Sequence, residues 1–166
     1  SSPLIVNCVF TNNNEPAIYS GSSSIVVSNC TFVANHQGSV VNLNGASTIS
    51  YCSFQNNKSA SSAAGIYDNN STSIVSWCTF QGNSGSGSGA VASESSTTRV
   101  LNSLFNANYS SSVGGALANI ASKLSLINCT VADNSASCRA GGIYQNEGTN
   151  EILNTIVWGN TDNNIS

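Results

Sequence analysis

Fourteen residues have side chains suited to acid–base, nucleophilic or metal chemistry: Glu15, Asp68, Glu94, Asp133, Glu147, Glu151 and Asp162, the single His36, and Cys8, Cys30, Cys52, Cys78, Cys129 and Cys138. Two carboxylates at a set separation would hydrolyse a glycosidic bond. Acids holding a cation beside an Arg or Lys base would open a uronic polysaccharide by elimination. A serine nucleophile would need a base at hand to activate it. The spacing supports none of these. His36 follows Asn35 in a turn-like segment, and no CxxC or Cys/His spacing suited to a metal occurs. No catalytic residue, metal site or cofactor is expected.

Charge is scarce throughout. Only 7% of the 166 residues are charged, with 4 Lys+Arg against 7 Asp+Glu. An ordinary soluble domain carries roughly 25%. Four scattered cations cannot neutralise a phosphate backbone, so a nucleic-acid partner is excluded. The apolar runs are too short to insert in a membrane. Ser (32) and Asn (25) supply the wetted surface instead. Hydrophobic residues still reach 40%, which argues against disorder.

The elements that position these residues follow from a repeat. A small residue, any residue, a large apolar residue, two more and then Asn recur seven times: Cys8-x-Phe10-x-x-Asn13, Cys30-x-Phe32-x-x-Asn35, Cys52-x-Phe54-x-x-Asn57, Cys78-x-Phe80-x-x-Asn83, Ser103-x-Phe105-x-x-Asn108, Cys129-x-Val131-x-x-Asn134 and Thr155-x-Val157-x-x-Asn160. The copies are 22, 22, 26, 25, 26 and 26 residues apart. An apolar residue stands three positions before each, from Ile5 and Val27 to Ile152, and a second short apolar stretch lies midway. Each unit predicts three strands of three to five residues separated by turns. A unit this small buries its apolar face only by stacking on its like, which is the logic of a solenoid. The chain is therefore expected to be all-β, one parallel β-helix domain over residues 1–166 with about seven coils of 22–26 residues. It is expected to be a processed or excised part of a longer chain.

Stacking sets like over like. Phe10, Phe32, Phe54, Phe80 and Phe105 form the expected core column, beside a column of Cys8, Cys30, Cys52, Cys78 and Cys129. Ser103 and Thr155 share the cysteine slot, so the slot calls for a small residue rather than a disulfide partner. Cys138 is out of register. Two Asn columns are read as turns with left-handed backbone and stacked carboxamides. One is Asn13, Asn35, Asn57, Asn83, Asn108, Asn134 and Asn160. The other is Asn7, Asn29, Asn102, Asn128 and Asn154, interrupted by Tyr51 and Trp77.

These FxxN units, with Gly114-Gly115-Ala116-Leu117 and Gly141-Gly142-Ile143-Tyr144, resemble the repeats of bacterial polymorphic outer-membrane proteins. The tail Asn154–Asn160 resembles the last coils of large secreted bacterial β-helix proteins. The resemblance implies a single-stranded right-handed parallel β-helix on the bacterial cell surface or secreted. Relatives of this type include adhesins and autotransporter passengers. The wider pectate-lyase-like superfamily includes polysaccharide enzymes. Asn160-Thr161-Asp162 matches one element of polygalacturonases, whose other motifs are missing. Asp68, Glu94 and Glu147 fall near one place in the repeat, without a cation beside them, and are read as solvated turn acids.

The expectation is thus a non-catalytic structural or adhesive solenoid that associates end to end or with other segments of its parent chain. The alternative is a polysaccharide-binding or polysaccharide-cleaving module. Tyr51, Trp77, Tyr109 and Trp158 are the candidate contacts to a host or matrix glycan, with Tyr51 and Trp77 stacked on the outside.

Overall fold

A computed structural model of the chain describes residues 2–161 and 164–166. Every strand pair in it is parallel, and no helix occurs among the described residues. The seven anchor segments form one seven-stranded sheet from Val9–Thr11 to Ile156–Trp158, stacked in sequence order. Seven stacked rungs make about six turns of a parallel β-helix. Residue pairs such as Phe54↔Phe80↔Phe105 are in register across it. A small residue and a large apolar residue flank one outward residue in each anchor, so alternation aims the Cys, Ser or Thr slot and the Phe or Val slot inward and the residue between them outward.

The second sheet holds the pre-anchor strands, such as Thr72–Ser76, and the mid-coil strands, such as Val91–Glu94. Here the coil departs from three short strands. Leu117–Ile127 and Ile143–Leu153 are continuous strands of 11 residues that join both series into one 11-stranded sheet. Both turn the same corner on a left-handed residue, Ala121 (φ 48°) and Glu147 (φ 57°), so their backbones stay in step around it. A further short strand after the anchor was not among the three expected in each unit. Lys58–Ser59, Ser84–Gly85, Tyr109–Ser110 and Ser135–Ala136 pair just after the anchor.

Three corner columns carry positive φ in nearly every rung. One runs Asn7, Asn29, Tyr51, Trp77, Asn102, Asn128 and Asn154, as read from the sequence. The second lies one residue before the expected Asn column, at Asn12, Ala34, Asn56, Gly82, Ala107, Asp133 and Gly159. The third includes Ser22, Asn44, Asn70 and Ser95. Asn13 and its counterparts are thus not the left-handed residues. They follow the bend with their carboxamides turned inward. The paired glycines reflect close approach of neighbouring rungs: a Cβ on Gly115 would collide with the carbonyl oxygens of Gly141 and Ser135.

The core is the inside of the tube. Phe32, Phe54, Phe80 and Phe105 are fully buried. Burial of each contributes about 1.5–3 kcal/mol. Their rings are nearly parallel, with centroids 4.6–4.9 Å apart from Phe10 to Phe105. That spacing equals the distance between paired strands, about 4.7–4.9 Å.

Candidate functional site

The cysteine slot has a specific hydrogen-bonding role. Each thiol donates to the carbonyl two residues earlier: Cys30 to Ser28 at 3.2 Å, Cys52 to Ser50 at 3.2 Å, Cys78 to Ser76 at 3.3 Å and Cys129 to Ile127 at 3.4 Å. Ser103 and Thr155 make the same bond to Leu101 and Leu153, at 2.8 and 2.9 Å. The slot therefore needs a small donor at a corner, which Cys, Ser and Thr share. All six cysteines are free thiols. Burial pushes the Cys30 and Cys129 thiols up, and the neighbouring Cys52 sulfur together with burial does so for Cys78. Such thiols are poor nucleophiles. Cys138 is exposed and stands apart.

The inward Asn column is a continuous carboxamide ladder. Each Nδ2 donates to the next Oδ1, from Asn13→Asn35 at 2.7 Å through 2.9 Å links to Asn134→Asn160. Each backbone N–H donates to that same oxygen at 2.9–3.1 Å. The second Nδ2 hydrogen reaches the carbonyl of the anchor residue one rung back, as in Asn83→Phe54 at 2.9 Å and Asn108→Phe80 at 3.0 Å. Asn35, Asn57, Asn83, Asn108 and Asn134 are fully buried with their hydrogen-bonding groups used.

The acids do not form a column. Asp68 is not a solvated turn acid: it is wholly buried inside the tube, on a mid-coil strand. Register places it beside Ser93, whereas Glu94 lies beside Asn69 on the opposite face. Asp68 accepts from Ser73 Oγ at 2.6 Å, Thr98 Oγ1 at 3.0 Å and Asn42 Nδ2 at 3.2 Å. Burial pushes its carboxyl up, and the three donors work against that. The column around it is polar in every rung, with Ser20, Asn42, Ser93 and Asn119 also buried. Glu94 is half-buried and accepts from Tyr67 Oη at 2.7 Å and Asn69 Nδ2 at 3.1 Å. Glu147 is exposed at a left-handed corner. Among the described residues no three His, Cys, Asp or Glu converge as metal ligands. Asp162, the last residue of the Asn-Thr-Asp element, lies outside the described residues.

Of the four aromatic candidates, the structure brings two together. Tyr51 and Trp77 occupy the same corner in adjacent rungs, with rings parallel to within 4° and centroids 6.2 Å apart. They remain 59% and 56% exposed. Tyr109 is elsewhere, on the short sheet, with its hydroxyl 2.7 Å from Ser137 Oγ. Trp158 is exposed on the last anchor strand, three rungs from Trp77. Tyr51 and Trp77 have φ of 53° and 56°. Holding a bulky residue there costs about 1–3 kcal/mol, and a stacked aromatic pair returns only about 0.5–1.5 kcal/mol.

Another concavity had not been read from the sequence. Tyr19, Val41 and Tyr67 line an open cleft of about 380 Å³ with Glu15 at its side. Its signal was present: Ile18-Tyr19 and Ile66-Tyr67 alternate, so an inward Ile requires an outward Tyr.

The right-handed β-helix region family matches residues 1–118, and the chain belongs to that family. Comparison with curated proteins gives no match.

Proposed function

We propose that the chain is a non-catalytic structural and adhesive solenoid of a secreted or surface-attached bacterial protein. The carboxamide ladder carries this reading. It runs through all seven rungs beside the stacked core rings and commits the interior to holding the rod together. The acid most suited to acid–base work, Asp68, is enclosed by hydroxyls and an amide, out of reach of a polymer outside. Outward positions are mostly neutral, which suits contact with a glycan matrix. End-to-end association belongs to the same proposal.

Two measurements test it. Binding of the purified chain to surfaces coated with matrix polysaccharides is expected, without release of reducing ends or unsaturated products from those polymers. Steady product release proportional to protein concentration would overturn the non-catalytic reading. Electron microscopy at high concentration is expected to show end-to-end rods, and dispersed single particles alone would remove the filament.

A further inference from the structure

We propose that the Tyr51–Trp77 ridge is a binding platform for a neutral oligosaccharide. The first support is the choice of residue at this corner. Five of seven rungs place Asn here, and all seven share the left-handed backbone. Its geometry is imposed by the stack, through Tyr51 N–H donating to Ser76 O and Trp77 N–H to Leu101 O, both at 3.0 Å. Asn meets that geometry with little strain; Tyr and Trp do not. Strained side chains held by an over-determined backbone mark ligand sites. The rings gain no enclosure in return, since each is more than half exposed.

The second support is what surrounds the ridge. Two contiguous shallow, open depressions of about 380 and 510 Å³ meet at Trp77 and Thr79. Outward hydroxyls of Thr31, Ser53 and Thr79 floor one, and Asn102, Asn128 and Thr130 line the other. Both are open enough for a sugar unit to lie along the surface. Among the described residues, neither is lined by an Asp, Glu, Lys, Arg or His. A uronate, sialate or phosphate would therefore find no cation, and an amine no acid. What remains is the outer, electron-rich face of each stacked ring, which attracts C–H groups, edged by hydroxyls and amides that both donate and accept. A pyranose presents that combination: a C–H face and a hydroxyl rim. The platform names the partner class of the adhesive surface proposed above and rests on that reading for its setting.

The test uses the full chain, titrated with cellohexaose, xylohexaose and chitohexaose by calorimetry and NMR, with hexagalacturonate as the anionic comparison. Saturable binding of at least one neutral oligosaccharide is expected, with hexagalacturonate weaker. Tyr51→Asn and Trp77→Asn should each weaken it about tenfold or more. Both variants restore the residue used elsewhere in the column, so misfolding does not confound the loss, and circular dichroism checks this. No saturable binding by the wild type, tighter binding of hexagalacturonate, or unchanged binding by both variants would overturn the platform. Adhesion to coated surfaces that persists in the double variant would leave the adhesive reading standing without it. Oligosaccharide binding without surface adhesion would do the reverse.

Discussion

Replacing Asn83 by Ala tests whether the inward carboxamides are structural members or fillers. Asn83 Oδ1 accepts from the backbone N–H and the Nδ2 of Asn57, at 3.1 and 2.9 Å. Its own Nδ2 serves Phe54 O and Asn108 Oδ1. Asn108 Oδ1 keeps the bond from the residue 83 backbone, at 3.0 Å. Truncation therefore orphans two fully buried donors on Asn57. Each costs about 1–3 kcal/mol, and the small void adds to this, so the loss should be about 3–5 kcal/mol. For a chain of this length that lowers Tm by about 6–20 °C. Asn128→Ala is the matched control. Asn128 has φ of 56°, is exposed, and makes one side-chain bond, to Asn102 Oδ1 at 3.2 Å. Its loss should cost only the left-handed preference, about 1–2 kcal/mol. Denaturant melts followed by far-UV circular dichroism compare the two. Equal costs, or a larger cost at Asn128, would refute the ladder.

Asp68 makes stability depend on pH in an unusual direction. Its folded carboxyl is pushed above the ordinary range, so the folded state binds the proton more tightly than the unfolded chain. That contribution is whole below the unfolded carboxylate range and is lost as pH rises through the folded value. The wild-type denaturation midpoint should therefore fall relative to that of Asp68→Asn between pH 4 and 8; parallel curves would contradict it. Asn42 and Asn119 already occupy the same column, so the variant should fold. Cys78→Ser should change stability by less than about 1 kcal/mol, because Ser103 makes the same bond one rung on, while Cys78→Leu should cost about 1–3 kcal/mol by overpacking. An aromatic disulfide reagent should label Cys138 first and Cys30, Cys52, Cys78 and Cys129 only after unfolding; rapid labelling of all six would deny the buried column. The Tyr51→Asn, Trp77→Asn double variant should gain about 1 kcal/mol, since relief at two strained corners exceeds one lost stack. A lower Tm would mean that the pair is there for stability.

The sequence alone determined the repeat, and with it the parallel solenoid, the stacked phenylalanines and the small-residue column. Those follow from periodicity, because in a stacked tube a position in one rung is the neighbour of its counterpart in the next. The low charge has the same root: a charged column would set like charges about 4.8 Å apart on paired strands, whereas Asn and Ser stack without repulsion. Tertiary structure decided what spacing leaves open. Variable loops put Asp68 and Glu94 near the same place in the repeat, but only strand register shows them to be one position out of step on neighbouring strands and so on opposite faces, one enclosed and one half-exposed. Which Asn bends the chain and which turns inward also depended on backbone geometry, since Asn suits both roles. The meeting of Tyr51 and Trp77 was legible from their shared place in the repeat, whereas the backbone strain at that corner and the exposure of both rings came from the structure. The repeat sets which residues, such as Tyr51 and Trp77 26 positions apart, stand one rung apart, but only the folded backbone sets how their rings overlap and which face of each strand meets the interior.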